Sequence, residues 1–134
     1  GAWLRPVMVR RSREELGRRE RVGTEIAVLD MPLLYEVGLD KLGQRVWCVT
    51  LPRETQLARL MERDHFTREE AESRLRSQMD PAEKARRADV VIDTSGSIRY
   101  TRDSIPPLLA EERRLAALQR SNNGTDHPCA PQAR

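Results

Sequence analysis

The sequence predicts an α/β fold with a parallel sheet, and two observations carry that expectation. Three short apolar runs of strand type occur at Ile26–Leu29, Arg45–Leu51 and Ala88–Asp93. Between and around them lie segments with helical periodicity and recognisable caps, and strands alternating with helices favour an α/β layer architecture. Three strands are few for such a sheet.

The elements follow in order. Residues 4–22 read as a helix, with Pro6 suited to its first turn and Gly23-Thr24 as its stop. Its apolar stripe is thin, which puts it on a surface. The continuous apolar run Ile26–Leu29 fits a strand covered on both faces. A short helical or irregular connection over 33–37 ends at Gly38. Val46, Trp47, Val49 and Thr50 favour a second strand.

Pro52 opens a helix over about 53–63, with Leu57, Leu60 and Met61 on one face. Thr67-Arg68-Glu69-Glu70 has the form of a capping box, starting a helix to about Met79. Asp80-Pro81 starts another short helix by cap-then-proline logic. Thr94-Ser95-Gly96-Ser97 is a turn after the third strand. The final helix is expected to break at Pro106-Pro107 and resume to about Arg120. Residues 121–134 lack apolar periodicity and read as a disordered tail after a single domain over 1–120.

Composition narrows the function classes. The chain has 134 residues, 34% of them charged and 4% aromatic, with a net charge of +3. No apolar run approaches the roughly 20 residues that span a bilayer. Cys48 lies in an apolar run and Cys129 in a polar tail, with no CxxC and with His65 and His127 isolated. A structural metal or a disulfide is therefore not expected, and the chain reads as cytosolic. All basic residues but Lys41 and Lys84 are arginine, whose planar fork suits phosphate. Acidic residues are interspersed throughout, which argues against a continuous nucleic-acid stripe.

Three places can carry chemistry. Asp30 ends a strand run, where ligands of α/β sheets bind. A carboxylate there can hold Mg²⁺ directly or through water, or can simply cap the next segment. In the segment 59–87, Arg59 and Arg63 are four apart on one helix, and Arg74 and Gln78 are four apart on the next. Inward cations on two linked helices would form a lid over a polyphosphate. The plain alternative is solvated helices with pairs such as Glu70–Arg74. The polar turn Thr94-Ser95-Gly96 can let backbone groups approach an adenine ring, or be only a turn before a helix.

Together these stretches resemble dephospho-coenzyme A kinase. The matching residues are Leu4-Arg5-Pro6, Leu29 to Glu36, Val46 to Val49, Gln56 to Asp64, Ala71 to Gln78, Glu83-Lys84 and Ala88 to Ser97. They occur in family order over about residues 3–105. The resemblance implies a P-loop kinase fold with a parallel sheet, flanking helices and a helical lid at about 59–87. It implies transfer of the γ-phosphoryl group of ATP, with Mg²⁺, to the ribose 3′-hydroxyl of dephospho-coenzyme A. Pro32, Leu33, Leu34, Tyr35 and Glu36 would then lie on the substrate side. Arg59, Arg63, Arg74 and Gln78 would belong to the lid, and Thr94, Ser95 and Gly96 would lie near adenine.

The chain also departs from that pattern. It contains no glycine-rich loop ending in Gly-Lys-Ser or Gly-Lys-Thr and lacks the family's catalytic acid. Arg5 stands where histidine is usual and Thr94 where asparagine is usual. In such a fold the strand leading into the phosphate loop lies between the strands matching 26–30 and 46–51. Without it about 10 Å separates strands that pair at about 5 Å, so partners are missing and marginal stability is expected. The chain alone is expected not to turn over ATP. The alternative reading is a non-catalytic arginine-rich module binding nucleotide, coenzyme A or RNA. Another nucleotide kinase of the same fold is a further option.

Overall fold

A computed structural model describes residues 4–123. It contains α1 (Leu4–Arg21), β1 (Trp47–Thr50), α2 (Arg53–Asp64), α3 (Arg68–Arg76), α4 (Pro81–Arg87), β2 (Val90–Asp93) and α5 (Ile98–Asn123). His127, Cys129 and residues 124–134 of the expected tail lie outside the described residues.

β1 and β2 pair in parallel, with Trp47 opposite Val90 and Thr50 opposite Asp93. β-branched residues dominate both strands, as a pleated, partly buried surface favours. The ladder is extended by side chains at both ends. Thr94 Oγ1 donates to the Thr50 carbonyl at 2.8 Å, and the Val46 amide donates to Asp89 Oδ2 at 2.8 Å.

Two expectations are corrected here. Ile26–Leu29 forms no strand, and among the described residues the sheet has two strands, β1 and β2. An extended segment becomes a strand only when a neighbour takes up its N–H and C=O groups, and none lies beside it. Coverage on both faces also fails: Val28 is 83% exposed, while Ile26 and Leu29 are half-buried along a groove beside α1. The second correction concerns α5, which runs through Pro106 and Pro107 to Asn123, three residues into the expected tail. The two prolines remove amide donors but leave the helical path intact.

The connection over 33–37 is a single turn closed by Gly38 at φ +72°. Leu39 N–H bonds the Leu34 carbonyl at 2.9 Å and Gly38 N–H bonds the Tyr35 carbonyl at 3.1 Å. This is the paired closure that ends a helix with glycine in the left-handed region. It delivers Leu39, 1% exposed, into the core. Gly23, at φ +76°, closes α1 with the same pair of bonds, from Thr24 to Arg19 and from Gly23 to Glu20.

The principal packings are β1 on β2, α2 on α3, and α4 on β1. Among the described residues, the buried apolar side chains are Leu39, Leu57, Ala71 and Ile92. Such a core is thin for a chain of this length. α5 is tied to the sheet by polar contacts, because Glu112 accepts from Trp47 Nε1 at 2.9 Å and pairs with Arg45 at 3.1 Å.

Candidate functional site

The site is built around the turn Pro32–Gly38 and the start of α4. Asp80 caps α4 by accepting from the Ala82 amide at 3.1 Å, with Pro81 in the first turn. This places Lys84 one turn in, facing back to the chain at 32–36. Lys84 Nζ lies 2.7 Å from Glu36 Oε1 and donates to the Pro32 carbonyl at 3.3 Å. The same Glu36 oxygen accepts from the Met79 amide at 3.1 Å. Both side chains are largely buried, at 16% and 17% exposure.

Burial pushes the Glu36 carboxyl up, but the bonds from Lys84 and the Met79 amide outweigh it and hold it below the ordinary glutamate range. Its second oxygen, Oε2, is buried with no partner, and so is the Tyr35 hydroxyl. Burial raises the Tyr35 hydroxyl, helped by negative charge at Cys48, Asp40 and Asp89 and opposed by Arg87. The Arg87 guanidinium lies 5.9 Å from the Tyr35 ring centroid. Buried polar atoms without hydrogen-bond partners on two consecutive residues are costly, and each marks a place where a donor or acceptor is wanted. On its outer side Glu36 lines an open groove of about 690 Å³ with Val37 and with Pro6, Val9, Arg10 and Arg13 of α1.

Of the substrate-side residues expected from the sequence, Leu33, Leu34, Tyr35 and Glu36 are half-buried and Pro32 is exposed. They share one turn. The lid residues are more dispersed. Arg59 and Arg74 are exposed on α2 and α3, and Arg63 pairs with the adjacent Asp64 at 2.9 Å. Asp64 is held below the usual aspartate range by Arg63 first, with smaller help from Arg74 and His65. α3 ends at Arg76 with Ser77 as its cap, so Gln78 lies beyond the helix in the joint to α4, half-buried. The capping box forms in one direction: Thr67 accepts from the Glu70 amide at 3.2 Å. His65, at φ 54°, makes the sharp exit from α2.

At the expected adenine-side turn, the Thr94 hydroxyl is occupied by the Thr50 carbonyl. Ser95 donates its amide to Asp93 Oδ1 at 2.8 Å, forming a local turn. Gly96 lies under the Tyr100 ring, where an added Cβ would stand 3.3 Å from the ring. Asp30 is exposed, and among the described residues no group of three or more His, Cys, Asp or Glu side chains could hold a metal. A lone exposed carboxylate does not by itself fit Mg²⁺, which is held through carboxylates together with substrate phosphates.

The sequence put Lys84 within the lid segment but did not indicate its pairing with Glu36. The available signal was its identity, one of two lysines in a chain whose other basic residues are arginine. A compact ammonium can satisfy a carboxylate and a carbonyl at once. The Trp47–Glu112 contact, 65 residues apart in sequence, left no local signal.

A parallel ladder flanked by helices, with a helical hairpin leaving the carboxyl end of β1, defines an α/β protein. The crystal structure of TT1252 from Thermus thermophilus is similar at a TM-score of 0.62 and 31% identity, over 75% of this chain and 52% of that one. The family model CoaE, dephospho-CoA kinase, matches residues 2–100. The chain belongs to the dephospho-CoA kinase family. Dephospho-CoA kinase of Carboxydothermus hydrogenoformans is 43% identical over 104 residues, covering 78% of this chain and 50% of the relative. That of Bacillus licheniformis is 42% identical over 106 residues, covering 79% and 51%. The chain thus spans about half the length of the curated relatives it matches. No helix among the described residues is long and apolar enough to cross a membrane.

Proposed function

We propose that this chain carries the substrate-side turn and the lid of a dephospho-coenzyme A kinase. Joined to a phosphate loop, it serves the ATP- and Mg²⁺-dependent phosphorylation of the ribose 3′-hydroxyl of dephospho-coenzyme A. The observation that carries this reading is the turn Pro32–Glu36 fixed against α4, with Tyr35 Oη and Glu36 Oε2 buried and unpartnered. Those atoms offer a polar ligand one donor and one acceptor in a partly dry setting, where each bond counts for more than in water. Arg59, Arg63, Arg74 and Gln78 are the cationic and polar groups that would reach the phosphates when the hairpin closes. Thr94, Ser95 and Gly96 would face the nucleotide base. Substrate is a small molecule, and nucleic acid is not expected.

The 134 residues include no phosphate-cradling glycine loop, so positioning and charge stabilisation of the transferring group need one from elsewhere. The test is complementation. The pure chain, given ATP, Mg²⁺ and dephospho-coenzyme A, is expected to form no coenzyme A. Addition of the portion of the Carboxydothermus relative that this chain does not match is expected to yield coenzyme A at a rate that neither part shows alone. Coenzyme A formation by the chain alone, or none by the mixture despite association, overturns the proposal.

A further inference from the structure

The joint between α3 and α4, residues 77–80, is the base from which the α2–α3 hairpin projects. One contact from the 32–38 turn reaches that base at Met79, and two more reach Lys84 in α4 just beyond it. Glu36 Oε1 accepts from the Met79 amide at 3.1 Å, Glu36 pairs with Lys84 at 2.7 Å, and Lys84 donates to the Pro32 carbonyl at 3.3 Å. The last two close a ring through Lys84 that includes both ends of the segment Pro32–Glu36. Charge-assisted bonds at this degree of burial are stronger than neutral exposed ones. The hairpin is also held internally by the packing of α2 on α3, with Leu57 and Ala71 buried, and its exposed pairs, such as Arg68–Glu54 at 56% and 72% exposure, orient nothing outside it.

We propose that Lys84 and Glu36 are positioning residues that set the angle of the arginine-bearing α2–α3 hairpin relative to the substrate-side turn. The assignment rests on the reading of that hairpin as a lid, but the geometry it predicts is independent of substrate. Neither residue needs to touch a reacting atom. Their work is to keep the joint at Met79 at a fixed distance from Pro32, so that Arg74 and Gln78 return to the same place after each opening. A few residues at an element's end can absorb such a hinge motion.

The test measures distance in the full chain without ligand. Nitroxides are placed at Lys41→Cys and Glu69→Cys in a Cys48→Ala, Cys129→Ala background, one on the body and one on α3, both at exposed positions. A control pair at Arg53→Cys and Arg76→Cys lies within the hairpin. Pulsed electron–electron resonance is expected to give a narrow body-to-hairpin distribution for the otherwise native chain. Lys84→Met is expected to widen it about two-fold while the control pair keeps its width. Lys84→Arg, which retains the charge, is expected to restore the narrow distribution. A broad native distribution, an unchanged width in Lys84→Met, or equal widening of the control pair overturns the proposal. Because no substrate is present, failure here is separable from failure to complement activity.

Discussion

Glu112 is the contact through which α5 is fastened over the start of β1, and its removal should be felt across the fold. The side chain is 12% exposed, accepts from Trp47 Nε1 at 2.9 Å and pairs with Arg45 at 3.1 Å. In Glu112→Ala the indole N–H loses its acceptor in a part-buried site, at a cost of about 1–3 kcal/mol. The Arg45 pair adds less than about 1 kcal/mol, because Arg45 is 37% exposed and screened by water. The sum is about 1–4 kcal/mol, a large fraction of a typical domain's stability. Glu112→Gln keeps an oxygen for Trp47 and loses only the charge, so about 1 kcal/mol is expected. The assay is equilibrium urea unfolding followed by Trp47 fluorescence in a Trp3→Phe background. An alanine variant within about 0.5 kcal/mol of the parent, or a glutamine variant as damaged as alanine, would refute the reasoning.

Other consequences are direct. Leu57, 1% exposed, is the buried anchor of α2, and Leu57→Ala should cost about 2–5 kcal/mol in the same urea assay. Glu36 has its folded carboxyl depressed below its unfolded value of about 4.3. Its stabilisation is therefore fully present above that value and is lost as pH falls through the folded one. Urea midpoints measured from pH 6 down to pH 3 should fall less steeply for Glu36→Gln than for the parent, and equal slopes would remove Glu36 from the acid response.

What was legible in the sequence was local. Gly38 and Gly23 announced their closures, Asp80-Pro81 and Thr67 announced helix starts, and the apolar β-branched runs at 46–50 and 88–93 became the parallel ladder. These signals act within a few residues and need no distant partner. Ile26–Leu29 shows where that kind of reading stops. Its apolar run meets the local requirement for a strand, yet a strand exists only when a neighbour supplies the ladder. Pro106-Pro107 failed in the opposite sense: a local breaking signal was overridden within a long helix that Glu112 fastens to the sheet. At the candidate site, the turn Pro32–Glu36 could be placed from its sequence. The Lys84 and Met79 contacts that fix it join residues 43 to 52 positions apart, and no periodicity encodes them.

On the proposed function, this chain would hold the dephospho-coenzyme A side of a kinase without its phosphate cradle. The most direct test is a ¹⁵N-resolved NMR titration of the full chain with dephospho-coenzyme A, with ATP as the comparison. Saturable shifts are expected at the amides of residues 33–37 and at Gln78–Met79 on adding dephospho-coenzyme A, with a much weaker response to ATP. No response at the turn, or tighter binding of ATP there, would contradict it.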